Sequence, residues 1–172
     1  MKNKLMILSV VLFTLLSTNS FAQFNPYSDD AKMLTAGIGA SGWGIPIFVR
    51  YELPVADNIT VGGALSYQSK GYSSGGYNWR ISYFGISARG SYHFNELLEV
   101  NDSWDLYAGA GLGYYFGNVS GDDFFTGTHS GGVGIGIHVG ARYFVNEKIG
   151  INVDVGGGSL FGGGTVGVTF ML

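Results

Sequence analysis

Alternation of apolar and polar residues is the feature that most constrains the fold of this chain. In the stretch VGIGIHVGARYFV, from Val133 to Val145, every odd-numbered position is apolar, and the even-numbered positions hold glycine, histidine, arginine and phenylalanine. A β-strand points successive side chains to opposite faces, so this stretch has one purely apolar face and one mixed face. The class of protein depends on which of the two faces meets water.

The same alternation recurs along the chain and predicts eight strands. They cover roughly residues 33–42, 45–54, 59–69, 80–94, 104–117, 132–146, 149–158 and 163–172. Most exceed the five or six residues or so that are usual in soluble sheets, and they match the roughly 9 to 11 residues of a tilted membrane-spanning strand. The longest predicted connections are KGYSSGGYNW and NVSGDDFFTGTHS. No segment has a sustained helical period.

The two faces of these strands differ in charge along the whole chain. One face is apolar and holds no charged residue, and every charge within a strand interior lies on the opposite, glycine-rich face. The charged and histidine residues of that second face are Arg50, Glu52, Arg89, His93, Asp105, His138, Arg142 and Asp154. A soluble barrel would turn this face to water and would need many lysines and glutamates. Only 12% of the residues are charged, against about 25% in soluble domains.

An all-β, eight-stranded antiparallel up-and-down transmembrane β-barrel accounts for both faces, with the apolar face toward lipid and the polar face toward the lumen. An arginine that faces lipid at the membrane midplane costs about 2 to 4 kcal/mol, so the arginines fix the register of their strands. Aromatic residues on the apolar face form two groups, as expected at two membrane interfaces. The groups are Tyr51, Tyr92, Phe94, Trp104, Tyr143 and Phe170 near one set of strand ends, and Tyr67, Phe84, Tyr114 and Phe116 near the other.

The first 22 residues are typical of a cleaved signal peptide. Lys2 and Lys4 precede the apolar run LMILSVVLFTLL, and Ser20 and Ala22 suit cleavage before Gln23. That run of 12 residues is too short to cross a bilayer as a helix. We therefore expect residues 1–22 to be a signal peptide, 23–32 an N-terminal segment and 33–172 the barrel domain.

Cysteine content and charge exclude several other classes of protein. The chain has no cysteine, which excludes disulfides, thiolate metal sites, a cysteine nucleophile and lipid attachment at cysteine. Without residues 1–22, seven basic residues stand against twelve acidic ones, and no basic stripe is left to bind nucleic acid. No cofactor is expected.

The chain resembles the small outer-membrane β-barrel proteins of Gram-negative bacteria, of the OmpA and OmpX type. The resemblance covers Met33 to Leu172 and rests on the signal peptide, the eight alternating segments, the stretch YAGAGLGYYFG and the final strand ending VGVTFML. It implies an outer-membrane location, contact with outer-membrane lipid, and insertion by the barrel-assembly machinery. The C-terminal signal read by that machinery commonly ends in an aromatic residue, whereas here Phe170 is third from the end.

The charged residues of the inner face have two interpretations. They could form a proton path, a gate or a metal site, or they could balance one another inside a narrow barrel, because buried charges require partners. An eight-stranded barrel encloses little space, which favours the structural interpretation. His93 and His138 lie on different predicted strands, and no third ligand with a metal-binding spacing accompanies them, so no metal site is predicted.

Three functions are compatible with such a barrel. A lipid-modifying enzyme could use Ser120, Asp122, Asp123, His129 and Ser130, but these residue types are typical of any exposed loop and no nucleophile elbow is present. A small-solute channel is a second possibility, because inward glycines leave lumen volume. Five inward aromatic residues could refill that volume: Phe48, Tyr83, Tyr107, Tyr115 and Phe144. We predict the third function, a non-enzymatic barrel with a structural or surface-interaction role.

Any specific interaction is expected in the two longer connections. If the N-terminus is periplasmic, both connections lie on the cell exterior, because they follow the third and fifth strands. Their aromatic residues are of types enriched at binding hot spots: Tyr72, Tyr77, Trp79, Phe124 and Phe125. The alternative is that these residues anchor the barrel at the outer membrane interface.

Overall fold

The fold is a closed antiparallel barrel, which confirms the predicted class. The computed structural model describes residues 31–121, 127–160 and 162–172, with the backbone alone for 127–130. The strands are β1 (Met33–Ser41), β2 (Ile47–Ala56), β3 (Ile59–Ser74), β4 (Tyr77–His93), β5 (Trp104–Gly121), β6 (Gly127–Asn146), β7 (Ile149–Gly158) and β8 (Gly163–Met171). Each strand pairs with its neighbour in the chain, and β1 closes the barrel on β8. No helix among the described residues is both long and apolar enough to cross a membrane.

Side-chain burial is the reverse of that in a soluble barrel. The apolar row lies on the outside, where Ile137 is 69% exposed, whereas Arg142, Asp105 and Asp154 on the inside are 0% exposed. The buried apolar residues of the described part of the chain are Ala31, Met33, Tyr107 and Phe144. The polar face therefore forms the core, and the apolar face is available to lipid.

The two ends of the barrel are unlike. At the turn end lie the β2–β3, β4–β5 and β6–β7 connections together with Leu172, and at the loop end lie the other four connections. Strands β3 to β6 have 16, 17, 18 and 20 residues, whereas β1, β2, β7 and β8 have 9 or 10. Pairing of β3 with β2 stops at Tyr67, although β3 continues to Ser74. At the loop end, the four middle strands therefore project about 20 Å beyond the ends of β1, β2, β7 and β8.

Both of the predicted long connections are wrong in extent. Residues 70–74 belong to β3 and 77–79 to β4, so the turn consists of Gly75 and Gly76. Their φ angles of 60° and 86° suit a type I′ hairpin turn, which requires positive φ at both positions and which glycine adopts at little cost. In the second connection, residues 118–121 extend β5 and 127–130 begin β6.

The predicted bounds of β2 are also shifted, because the strand begins at Ile47 and ends at Ala56. Its last part is irregular, with a shift of register between Pro54 and Ala56. A proline has no N–H to donate to a neighbouring strand, and sheets accommodate it at such bulges.

The two aromatic groups lie toward opposite ends of the outer surface. Trp104 and Tyr143 have ring centroids 5.0 Å apart near the turn end, and those of Tyr92 and Phe94 are also 5.0 Å apart. Toward the loop end, the centroid of Phe116 lies 4.8 Å from that of Tyr114 and 6.2 Å from that of Phe84. The band of aliphatic side chains between the two groups is the surface that meets the membrane interior.

Candidate functional site

The predicted inner-face residues all point into the lumen, where they form two ion-paired clusters and one separate histidine. The first cluster, toward the turn end, contains Glu52, His93, Asp105 and Arg142. The second contains Arg50, Arg89 and Asp154. His138 has no ion pair with either cluster. Its Nε2 lies 3.0 Å from the hydroxyl of Ser91.

Arg142 is the centre of the first cluster. Its Nη1 donates to Asp105 Oδ2 and its Nη2 to Glu52 Oε2, both at 2.8 Å. Asp105 is its direct neighbour across the β5–β6 pairing, whereas Glu52 reaches it from β2 on another side of the barrel. The guanidinium also lies 5.0 Å from the centre of the Tyr107 ring, and Nη1 lies 2.8 Å from Met33 Sδ. One buried cation thus links several strands.

His93 connects Asp105 to Thr60. Its Nδ1 lies 2.7 Å from Asp105 Oδ1 and its Nε2 lies 2.9 Å from Thr60 Oγ1. This connectivity is that of a hydrolase triad, but Thr60 is 1% exposed and the same aspartate is ion-paired to Arg142. A substrate has no access to the hydroxyl in this arrangement.

The two histidines do not share a site. The ring centroid of Tyr107 lies 5.6 Å from that of His93 and 6.2 Å from that of His138. Tyr107 is on β5, which lies between the β4 and β6 strands that carry the two histidines. Within the described ranges there is no group of three or more His, Cys, Asp or Glu residues that could hold a metal ion.

Asp154 is the centre of the second cluster. Arg50 Nη1 donates to its Oδ2 at 2.7 Å, and Arg89 Nη2 donates to its Oδ1 at 3.3 Å. The Arg50 guanidinium also lies 4.6 Å from the centre of the Phe48 ring. The cluster thus contains two cations and one anion.

Uncharged inward residues fill the rest of the turn-end half. Asn152 donates to the hydroxyl of Tyr107, and the hydroxyls of Thr35 and Thr169 are 2.8 Å apart. Phe144 is buried as well. Asn152 and the two threonines were not among the predicted site residues, although their position on the inward row was a signal for them.

The loop-end half of the lumen contains a cavity of about 90 Å³. Arg50, Arg89 and His138 line its inner part. The ring of Trp43, from the β1–β2 connection, lies 5.0 Å from that of Tyr83 and 5.9 Å from that of Tyr115, centroid to centroid. We call Trp43, Tyr83 and Tyr115 the aromatic collar. The alternation did not predict a role for Trp43, because it carries no information about residues in turns.

Leu160 also enters this cavity, from the β7–β8 connection. A Cβ at Gly134 would lie 2.8 Å from the Leu160 Cα, so the glycine is what allows the connection to fold inward. Inward glycines such as Gly134 therefore leave space in the lumen for part of the β7–β8 connection.

The predicted loop aromatics Tyr72, Tyr77 and Trp79 lie on the projecting β3–β4 hairpin rather than in a loop. Tyr72 pairs with Trp79, and their rings are stacked at 5.7 Å and 11°. The pairing is continuous from the lumen, so the stack lies on the same face as the inward row and opposite the lipid-facing row. Phe124 and Phe125 lie outside the described residues.

The residues considered for catalysis are only partly described. Ser120 is exposed on β5. Asp122 and Asp123 lie outside the described residues, as do the side chains of His129 and Ser130. The arrangement of this set therefore lies outside the described part of the chain.

A closed eight-stranded barrel with an apolar exterior and an ion-paired interior defines the class of outer-membrane β-barrels. The chain belongs to the outer membrane protein beta-barrel domain family, whose model matches residues 10–170. This membership places the protein in the outer membrane. The short turns of such barrels face the periplasm and the longer loops face the exterior.

Solved structures have the same fold at low sequence identity. The N-terminal β-barrel domain of Pseudomonas aeruginosa OprF is 18% identical, with a TM-score of 0.61 over 84% of this chain and 98% of that one. OprG from Pseudomonas aeruginosa is 11% identical, with a TM-score of 0.55 over 83% and 93%. Neisserial surface protein A is 13% identical, with a TM-score of 0.52 over 83% and 95%. Comparison with curated proteins gave no significant match.

Proposed function

We propose that this protein is a non-enzymatic outer-membrane barrel that acts through its extracellular loop end, as a structural or surface-interaction protein. In this proposal residues 1–22 are a signal peptide and the mature chain begins near Gln23. The observation that carries the proposal is the contrast between the two ends: the turn-end half of the lumen is filled, whereas the loop end projects four strands into the exterior.

The filled turn-end half argues against a small-solute channel. Arg142, Tyr107, Phe144 and Met33 are each at most 2% exposed, and they occupy the lumen between the cavity and the periplasm. Moving them aside would break a buried ion-pair cluster, which is costly. A passage for solutes would therefore need a large rearrangement of the core.

The interior also offers little support for catalysis. Thr60, His93 and Asp105 have the connectivity of a triad, but they are buried and do not line the loop-end cavity. A substrate large enough to be a lipid has no route to them. The non-enzymatic role is the one that fits this burial.

The projecting hairpin supports a role in binding. Stacking of Tyr72 on Trp79 orders two large side chains before any partner arrives, which lowers the entropy cost of association. Lys70 lies 5.5 Å from the Tyr72 ring centre and donates to the carbonyl of Gly42. Because this face continues the inward row, partner binding suits it better than anchoring in lipid.

The binding proposal is tested with cells that display the protein, exposed to an array of immobilised serum proteins and polysaccharides. We expect the unaltered protein to retain cells on a component of the array and the Tyr72→Ser/Trp79→Ser variant to lose that retention. The matched control is Glu147→Ser/Lys148→Ser in the turn-end β6–β7 connection, which should leave retention unchanged.

Replacement of residues 70–79 and 118–130 by short Gly-Ser turns provides the stronger perturbation. The barrel should still fold, as judged by a heat-dependent change of gel mobility, because its lipid-facing strands are intact. Binding that survives this replacement, or no binding by the unaltered protein, would contradict the surface-interaction role of the loop end.

A further inference from the structure

The loop-end cavity has no part in the proposed surface role, yet it combines buried cations with an aromatic mouth. We propose that it is a binding site for a small organic carboxylate, whose anionic group meets Arg89 and Arg50 and whose apolar body lies against the aromatic collar. This inference concerns a different part of the molecule from the projecting hairpin and goes beyond the proposed function.

The lumen charges are balanced in total but separated in space. Counting arginines and carboxylates alone, the turn-end cluster has two anions, Glu52 and Asp105, for the single cation Arg142. Asp154 is shared by Arg50 and Arg89, so the cluster beside the cavity carries one more cation than anions. The cluster with the excess cation lines the cavity, where a single negative charge would balance that cluster.

Buried donors beside the cavity are left without acceptors. The side chains of Arg50 and Arg89 are 3% and 10% exposed, and the Nε atom of each is buried without a hydrogen-bond partner among the described residues. The hydroxyl of Thr165, which also lines the cavity, is in the same state. Buried polar groups are nearly always paired, and a carboxylate accepts several such bonds, with arginine as its preferred partner.

Arg89 is the donor best placed for a ligand. Its bond to Asp154 is long, at 3.3 Å, whereas the same aspartate holds Arg50 at 2.7 Å. The guanidinium of Arg89 therefore has N–H groups to spare, in the planar arrangement that binds a carboxylate through two bonds.

The residues at the mouth of the cavity favour an apolar body for the rest of the ligand. The aromatic collar of Trp43, Tyr83 and Tyr115 has ring centroids 5.0 to 6.1 Å apart, and Leu160 contributes an aliphatic wall. A cavity of about 90 Å³ holds a carboxylate with a few carbon atoms, with the remainder lying in the collar. Inorganic phosphate has no apolar body to fill the collar, and as a dianion it exceeds the single excess positive charge.

The test uses the mature chain folded in detergent micelles, with Trp79→Phe and Trp104→Phe so that Trp43 is the only tryptophan. Benzoate, the neutral analogue benzyl alcohol and inorganic phosphate are titrated at constant ionic strength while Trp43 emission is followed. We expect saturable binding of benzoate, with Kd raised about tenfold or more by Arg89→Gln, as for loss of a charge-assisted bond. Arg80→Gln is the control, because Arg80 lies on the same strand and points to the opposite face.

A second pair of variants keeps the test valid if Arg89→Gln does not fold. Ala64→Leu fills the cavity without changing a charge, and Ala88→Leu places the same side chain on the lipid-facing row. We expect the first to abolish benzoate binding and the second to preserve it. The proposal is overturned if benzyl alcohol or phosphate binds as tightly as benzoate, or if Ala64→Leu binds benzoate like the unaltered protein.

Discussion

Replacing Arg142 by leucine removes the cation that holds the turn-end cluster together. The guanidinium makes two 2.8 Å bonds to carboxylates and is itself fully buried. Its loss leaves Glu52 and Asp105 as buried anions without their cation. Asp105 keeps its contact with His93, so Glu52 is the group most affected.

The size of the effect follows from this burial. Removing one partner of a buried pair costs about 3 to 5 kcal/mol, because the other charge stays out of water. We expect Arg142→Leu to lower the free energy of unfolding by at least that amount. Adding Glu52→Gln removes the stranded charge, so the double variant should regain about half of the loss or more. Arg80→Leu, at an exposed arginine, should change stability by about 0.5 kcal/mol or less.

The measurement is equilibrium unfolding by urea in lipid vesicles, followed by tryptophan emission and by gel mobility without heating. A free energy of unfolding for Arg142→Leu within about 1 kcal/mol of that of the unaltered protein would contradict the expected cost of a stranded buried charge. A double variant as unstable as the single one would show that the loss does not come from Glu52.

Three further substitutions, one of them a control, test the outer and inner faces of the barrel wall by the same unfolding measurement. Ile137→Arg, in the middle of the lipid-facing row, should lower the free energy of unfolding by about 2 to 4 kcal/mol. A smaller decrease would mean that this row does not meet lipid. Gly140→Ala would place a Cβ against the Tyr107 ring and should cost about 1 to 3 kcal/mol by overpacking. Gly157→Ala has nothing within 4 Å of its new methyl group and should be nearly neutral, and equal losses at both glycines would contradict the inner packing.

The sequence contains enough information to predict which residues face the lumen. A shift of one residue would turn Arg50, Arg89 or Arg142 toward lipid, so the register of each of these strands has one acceptable solution. The register then also predicts contacts between residues on neighbouring strands, such as Asp105 and Arg142. Contacts across the lumen cannot be predicted in this way, because the bond between Glu52 on β2 and Arg142 on β6 depends on the closure of the barrel and on side-chain length.

The extent of the projecting hairpin could not be predicted from alternation. Beyond the membrane both faces of β3 and β4 meet water, so residues 70–79 lose the apolar row that marks a strand. The Gly75–Gly76 pair was the available signal, because two adjacent glycines favour a type I′ turn. The entry of Trp43 and Leu160 into the loop-end half is a tertiary effect, made possible by small inward residues on other strands.

Conductance of the unaltered protein in a planar lipid bilayer tests most directly whether its lumen is closed. A closed lumen is what a role at the loop end, rather than transport, requires. The filled turn-end half, with Arg142 and its partners at its centre, predicts no steady current above that of the lipid alone. A stable open channel that is lost when Arg89 or Arg142 is altered would contradict this account and would favour transport through the lumen.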